Sequence, residues 1–124
     1  LIAVLFELWP HEHGREEYLD IAASLRDRLD AVDGFLSVER FQSLSDPSKL
    51  LSVSFFRDEQ AVAAWRSASE HRTAQARGRG ALFRDYRLRI AAVIRDYSMA
   101  DRDQAPLASR EVGSSLSCLT DESP

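Results

Sequence analysis

Asp85-Tyr86-Arg87-Leu88-Arg89-Ile90-Ala91-Ala92-Val93-Ile94 begins polar, ends apolar and reads as one long strand. It closes a segment from Arg57 to Tyr97 in which a helix carrying Trp65, His71 and Arg72 passes through Gly78 and Gly80 into that strand. A strand–helix–strand–strand pattern stands in front of it. The whole is βαββαβ, which predicts an α+β, ferredoxin-like unit: a four-stranded antiparallel sheet with both helices on one face.

Residues 1–9 are rich in β-branched and large apolar side chains and run into Pro10, as a first strand does. After Gly14 a helix is expected from about Arg15 to Val32. Its apolar residues Tyr18, Ile21, Ala22, Leu25, Leu29 and Val32 recur three or four apart, Glu16 and Glu17 suit its first turn, and Asp33-Gly34 stops it. Two extended runs, Phe35–Leu44 and Lys49–Phe56, flank Ser45-Asp46-Pro47-Ser48, a turn sequence that makes them a hairpin. In the second run Leu51, Val53 and Phe55 alternate with Ser52 and Ser54, giving one apolar and one more polar face. Asp58 suits the N-cap of the next helix. That helix is expected to break or kink near Ser67–Ser69 and to end at Gly78-Arg79-Gly80. The organisation is then a domain over residues 1–98 and a flexible, Ser/Asp-rich tail over 99–124, aperiodic and poor in large apolar groups.

The 124 residues give room for one modest core, and 44% hydrophobic with 29% charged residues is ordinary for a globular domain. A net charge of −4 argues against nucleic acid or an anionic membrane surface as partner. No apolar run approaches the roughly 20 residues that span a bilayer. The apolar start Leu1–Phe6 has no basic segment before it and reads as a strand, not a signal peptide. A lone Cys118 cannot close an internal disulfide and fits a cytoplasmic setting. A sheet with helices on one face leaves its other face with alternating apolar side chains. A two-fold partner stacking its own sheet there is the expected remedy, making a homodimer with room for a small molecule between sheet and helices.

The run Ser54-Phe55-Phe56-Arg57-Asp58-Glu59-Gln60-Ala61-Val62 leading to Trp65, followed by His71-Arg72, Gln75 and Tyr86-Arg87-Leu88, resembles the antibiotic biosynthesis monooxygenase family of the dimeric α+β barrel superfamily. The resemblance covers about residues 1–98. It implies a monooxygenase that binds a small aromatic or polyketide-like substrate, favours its anion, and lets that anion react with dioxygen, with no cofactor and no metal. The same scaffold also carries haem-degrading enzymes and cyclase-like, non-oxidative relatives. Binding of haem or another planar ligand, and a non-oxidative cyclisation, are therefore the alternatives. Haem-degrading members have an Asn on the first strand, a Trp on the second long helix and an iron-ligating His ten residues later. Here Trp65 matches, Gln75 replaces the His, and Glu7 stands at the first-strand position.

Two residues are candidates for catalysis. The reference pKa of an imidazole lies near neutrality, so His71 suits a base or anion stabiliser, or else is a surface or dimer-contact histidine beside Arg72. Glu7 is the one charge in an apolar strand. Facing inward it is a desolvated base with a raised pKa, and facing outward an ion-pair partner; Leu1, Ala3, Leu5 and Trp9 share its face. The candidate substrate wall is Trp9, Trp65, Arg72, Gln75, Phe83 and Tyr86. Trp65 also has the spacing of a core residue. His11 and His13 lie two apart, but two imidazoles without a third ligand make weak evidence for a metal. Arg87 and Arg89 are expected to pair with acids such as Glu39, or else to neutralise an anionic ligand.

Overall fold

The computed structural model describes residues 1–76 and 82–108, and for 68–76 the backbone alone. The chain order is β1 (Ile2–Pro10), α1 (Arg15–Ser24), α2 (Arg26–Asp30), β2 (Phe35–Gln42), β3 (Leu50–Phe56), α3 (Glu59–Ala76) and β4 (Phe83–Ala92). The strands form one antiparallel sheet in the order β2-β3-β1-β4. The fold is the expected α+β, ferredoxin-like one.

Register decides which side chains meet the helices. β1 pairs with β3 from Ile2↔Phe56 to Leu8↔Leu50, and with β4 from Ile2↔Ala92 to Pro10↔Phe83, with an irregularity between Trp9 and Pro10. Ile2, Val4, Phe6 and Leu8 therefore share a face with Phe56, Ser54, Ser52 and Leu50, and that face packs on the helices. Leu8, Tyr18, Leu50, Leu82 and Phe83 make one buried cluster, and Leu29, Phe56, Ala61 and Val62 another. Phe56, Leu8 and Leu82 are the largest fully buried side chains, each worth about 1.5–3 kcal/mol in apolar burial.

Local chemistry accounts for the element ends. Asp46 shapes the hairpin: its Oδ1 accepts from the Ser48 amide and hydroxyl, and its carbonyl accepts from the Lys49 amide. Asp58 caps α3, Oδ1 accepting the Ala61 amide at 2.9 Å. Gly34, in the turn between α2 and β2, has φ 94°, a conformation costly for any residue with a Cβ.

Two expectations are corrected. The helix foreseen over 15–32 is two segments with a turn at Leu25, where the Ser24 hydroxyl donates back to the Ile21 carbonyl at 2.7 Å; such back-bonding loosens a helix. The break foreseen near Ser67–Ser69 is not found, and α3 is continuous from Glu59 to Ala76. Gly78-Arg79-Gly80 lie outside the described residues.

The chain divides into a unit Leu1–Ala92 and a unit Val93–Pro124. In the second, the Asp96 amide donates to Gln104, the Ser98 amide to the Asp101 carbonyl, and Arg102 lies over the Tyr97 ring. Residues 109–124, most of the expected tail, lie outside the described residues. No described helix is long and apolar enough to cross a membrane.

Candidate active site

β3 carries the feature on which the site depends. Its inward residues are Leu50, Ser52, Ser54 and Phe56, all buried, while Leu51, Val53 and Phe55 point to the opposite face. The two serines are each 8% exposed. Neither hydroxyl has a hydrogen-bond partner among the described residues. Both border a cavity of about 260 Å³ between sheet and helices, so this polar stripe faces open space and not packed side chains.

Each element contributes a different part of the wall. Val4 and Phe6 of β1 and Tyr86, Leu88 and Ile90 of β4 form an apolar stretch of floor, and Val38 and Arg40 of β2 flank the serines. Tyr18, Ile21, Leu25 and Leu29 come from the first helical segments, and Val62, Trp65 and Arg66 from α3. Four rings meet on one side. Phe6 lies edge-on to Phe83 at 5.9 Å and to Tyr86 at 5.8 Å, and Tyr18 to Phe83 at 5.7 Å. Such contacts fix ring orientation and make a firm aromatic wall.

The cavity has a cationic side as well. Arg40 Nε donates to the Tyr18 hydroxyl across 3.4 Å. Arg26 is held by Asp30 at 3.0 Å and lies over the Phe35 ring. Arg66 is exposed at the cavity wall. An apolar chamber with a few convergent donors can orient a small amphipathic molecule.

The sequence candidates divide three ways. Trp65, Phe83 and Tyr86 line the cavity. Trp65 also packs against the Leu29–Phe56 cluster, so it serves core and cavity together. His71, Arg72 and Gln75 lie on α3, but their side chains fall outside the described residues. Glu7 and Trp9 sit on the sheet face opposite the cavity.

That placement corrects the reading of Glu7 as an inward base. Its carboxylate accepts from Lys49 Nζ at 2.9 Å and from Arg89 Nη1 at 2.7 Å. The bond from Lys49 and then that from Arg89 hold its pKa below the ordinary value, the reverse of what a proton acceptor near neutrality needs. Trp9 is likewise corrected as a wall residue. Its indole N–H donates to Asp46 at 3.1 Å, and Lys49 lies 5.0 Å from its ring centroid. Arg89 pairs with Glu7 rather than with Glu39, because β2 and β4 are opposite edges of the sheet. His11 and His13 stack ring on ring at 5.6 Å, and no group of three metal-ligating residues gathers among the described residues.

Sequence reasoning missed Phe6, Tyr18, Arg40, Ser52 and Ser54 as cavity residues. The serines did leave a signal, two small hydroxyl residues two apart in an otherwise apolar strand.

Comparison with known proteins agrees with this architecture. The family described as antibiotic biosynthesis monooxygenase matches residues 1–77. The chain belongs to that family. Within and around the antibiotic biosynthesis monooxygenases, the chain is 43% identical over 93 residues to jasmonate monooxygenase ABM of Pyricularia oryzae, covering 75% of this chain and 43% of the relative. It is 33% identical over 70 residues to the 42.8 kDa protein in the whiE locus of Streptomyces coelicolor, covering 56% of this chain and 18% of that one. The chain thus spans less than half the length of these curated relatives.

Among solved structures, Rv0793 from Mycobacterium tuberculosis superposes with a TM-score of 0.66 at 20% identity, over 78% of this chain and 98% of its own. SnoaB, a cofactor-independent oxygenase from Streptomyces nogalater solved as a mutant, gives 0.63 at 11% identity, over 77% and 94%. At such identities the likeness is one of fold.

Proposed function

We propose that this chain is a monooxygenase that takes a small aromatic or polyketide-like molecule into the cavity and lets its anion react with dioxygen without a bound cofactor. The observation that carries the reading is the partly open chamber beside Ser52 and Ser54, walled by Phe6, Tyr18, Phe83 and Tyr86. Family membership supports it, as do a relative named a monooxygenase and a fold neighbour described as a cofactor-independent oxygenase.

The chemistry asks little of the protein. A proton leaves an activated CH₂ of the substrate, the carbanion and dioxygen form a C–O bond, and loss of water from the resulting hydroperoxide leaves a carbonyl. One CH₂ and one O₂ thereby become one C=O and one H₂O. A dry aromatic wall favours a delocalised anion, and the Ser54 hydroxyl is the donor we assign to its developing charge. His71, six residues after Trp65 on α3, is the base we assign. The functional form we propose is a homodimer, in which a second copy covers the sheet face bearing Leu5, Leu51, Val53 and Phe55.

The test is oxygen uptake by purified protein, free of flavin and with chelator present, on a panel of anthrones and polyphenols. Uptake that depends on protein and falls in His71→Ala supports the reading; none on any substrate overturns it. A parallel haem titration discriminates the alternative, since a stoichiometric Soret shift that is lost in His71→Ala would reassign the site to haem binding.

A further inference from the structure

The geometry points to a carboxylate subsite within the cavity, built by Arg40, Tyr18 and Ser52, and so to amphipathic monocarboxylic acids as the substrate class. This rests on the cavity being the substrate site, but not on what reaction follows.

Three donors converge there. Ser52 is 8% exposed, borders the cavity and has no hydrogen-bond partner among the described residues. Its hydroxyl is open to the cavity, where a ligand oxygen can accept from it. Arg40 stands directly opposite Ser52 in the β2–β3 register, where side chains leave the backbone about 5 Å apart. Arg40 Nε in turn donates to the Tyr18 hydroxyl. The Tyr18 oxygen is thus an acceptor toward Arg40, and its own proton is left to donate elsewhere. Tyr18 too is 8% exposed.

No acid answers this cation. Among the described residues Arg40 makes no ion pair with a carboxylate, whereas Arg26 on the same cavity is taken by Asp30. Arg40 is exposed at the cavity edge, and its two Nη groups are open to a planar, bidentate acceptor, the geometry a carboxylate offers. A guanidinium and two hydroxyls supply donors for one monoanionic group. A phosphate dianion would ask for more charge than this corner holds. The Tyr18 ring also meets Phe6 at 6.4 Å and Phe83 at 5.7 Å, so the polar corner adjoins the aromatic wall. A ligand filling both has an apolar body and one acid group.

Isothermal titration of the purified chain with 2-naphthoate and with 2-naphthamide tests this, since the two probes differ only in the acid group. The acid should bind at least about tenfold more tightly than the amide. Arg40→Gln should bring the two within about twofold, chiefly by weakening the acid, and Arg40→Lys should keep part of the preference. Arg84→Gln, an exposed cation away from the cavity, should keep it all. Equal affinities in the wild type, no binding of either probe at millimolar concentration, a preference that survives Arg40→Gln, or one lost equally in Arg84→Gln would each overturn the proposal. Oxygen uptake separates it from the reading above. Acid preference without uptake on any substrate leaves the subsite and removes the oxygenase, while uptake on neutral phenols with no acid preference removes the subsite alone.

Discussion

Glu7 on β1 and Arg89 on β4 meet at 2.7 Å across the sheet, and the other oxygen of the same carboxylate takes Lys49, the residue before β3, at 2.9 Å. One carboxylate thus ties β1 to β4 and to the turn that leads into β3, on the face away from the cavity. Its folded pKa lies below the ordinary 4.5. The ionised form is therefore the one the fold favours, so its contribution is complete above about pH 4.5 and is lost as pH falls through the lowered folded value. Urea denaturation of wild type and Glu7→Gln at a series of pH values should show a gap at neutral pH that closes under acid conditions. A gap that widens on acidification would contradict the assignment. The same pair argues that Glu7→Gln leaves oxygen uptake largely intact.

Ser54 is buried, and its hydroxyl faces the cavity with no hydrogen-bond partner among the described residues. Ser54→Ala removes that hydroxyl without making a large hole, so stability should change by less than about 1 kcal/mol. Oxygen uptake should fall by about tenfold or more if that hydroxyl supports the anion. A clear loss of stability in thermal melts would mean that the hydroxyl is structural.

Gly14 precedes α1, and a Cβ there would lie 2.5 Å from the Leu82 carbonyl oxygen, the same atom that accepts the His11 amide at 2.9 Å. Backbone atoms cannot swing aside as a side chain does. Gly14→Ala should therefore cost about 1–3 kcal/mol, seen as a melting temperature lower by several degrees, about 4–8 °C per kcal/mol for a domain of this size.

Stacking of two sheets should appear as twice the chain mass in light scattering at micromolar concentration. Val53, on a central strand and on the face away from the helices, is the place to break it. Val53→Glu should shift the protein toward the monomer mass while far-ultraviolet circular dichroism is retained. A monomeric wild type would remove the dimer.

Much of the fold was legible because local chemistry writes it. Asp58 capping α3, Asp46 closing the hairpin and Gly34 turning the chain between α2 and β2 are all choices of residue type that one backbone conformation demands. Trp65, Phe83 and Tyr86 could be named as wall residues because large aromatics near the two core-forming elements have few places to go. The break at Leu25 was not legible, since the apolar spacing continues through it and the Ser24 back-bond that loosens the helix has no periodic signal.

The sequence by itself determined which residues travel together: Glu7 with Leu5 and Trp9, Ser52 with Ser54, Leu51 with Val53 and Phe55. Strand alternation fixes that grouping, because successive side chains point to opposite faces. It does not say which face receives the helices. That follows from the register joining β1, β3 and β4 and from the crossover that lays α1 over the sheet, both long-range properties. Only the tertiary structure therefore turned the two serines inward to a cavity, set Arg40 across from Ser52 and beside Tyr18, and sent Glu7 to the other side.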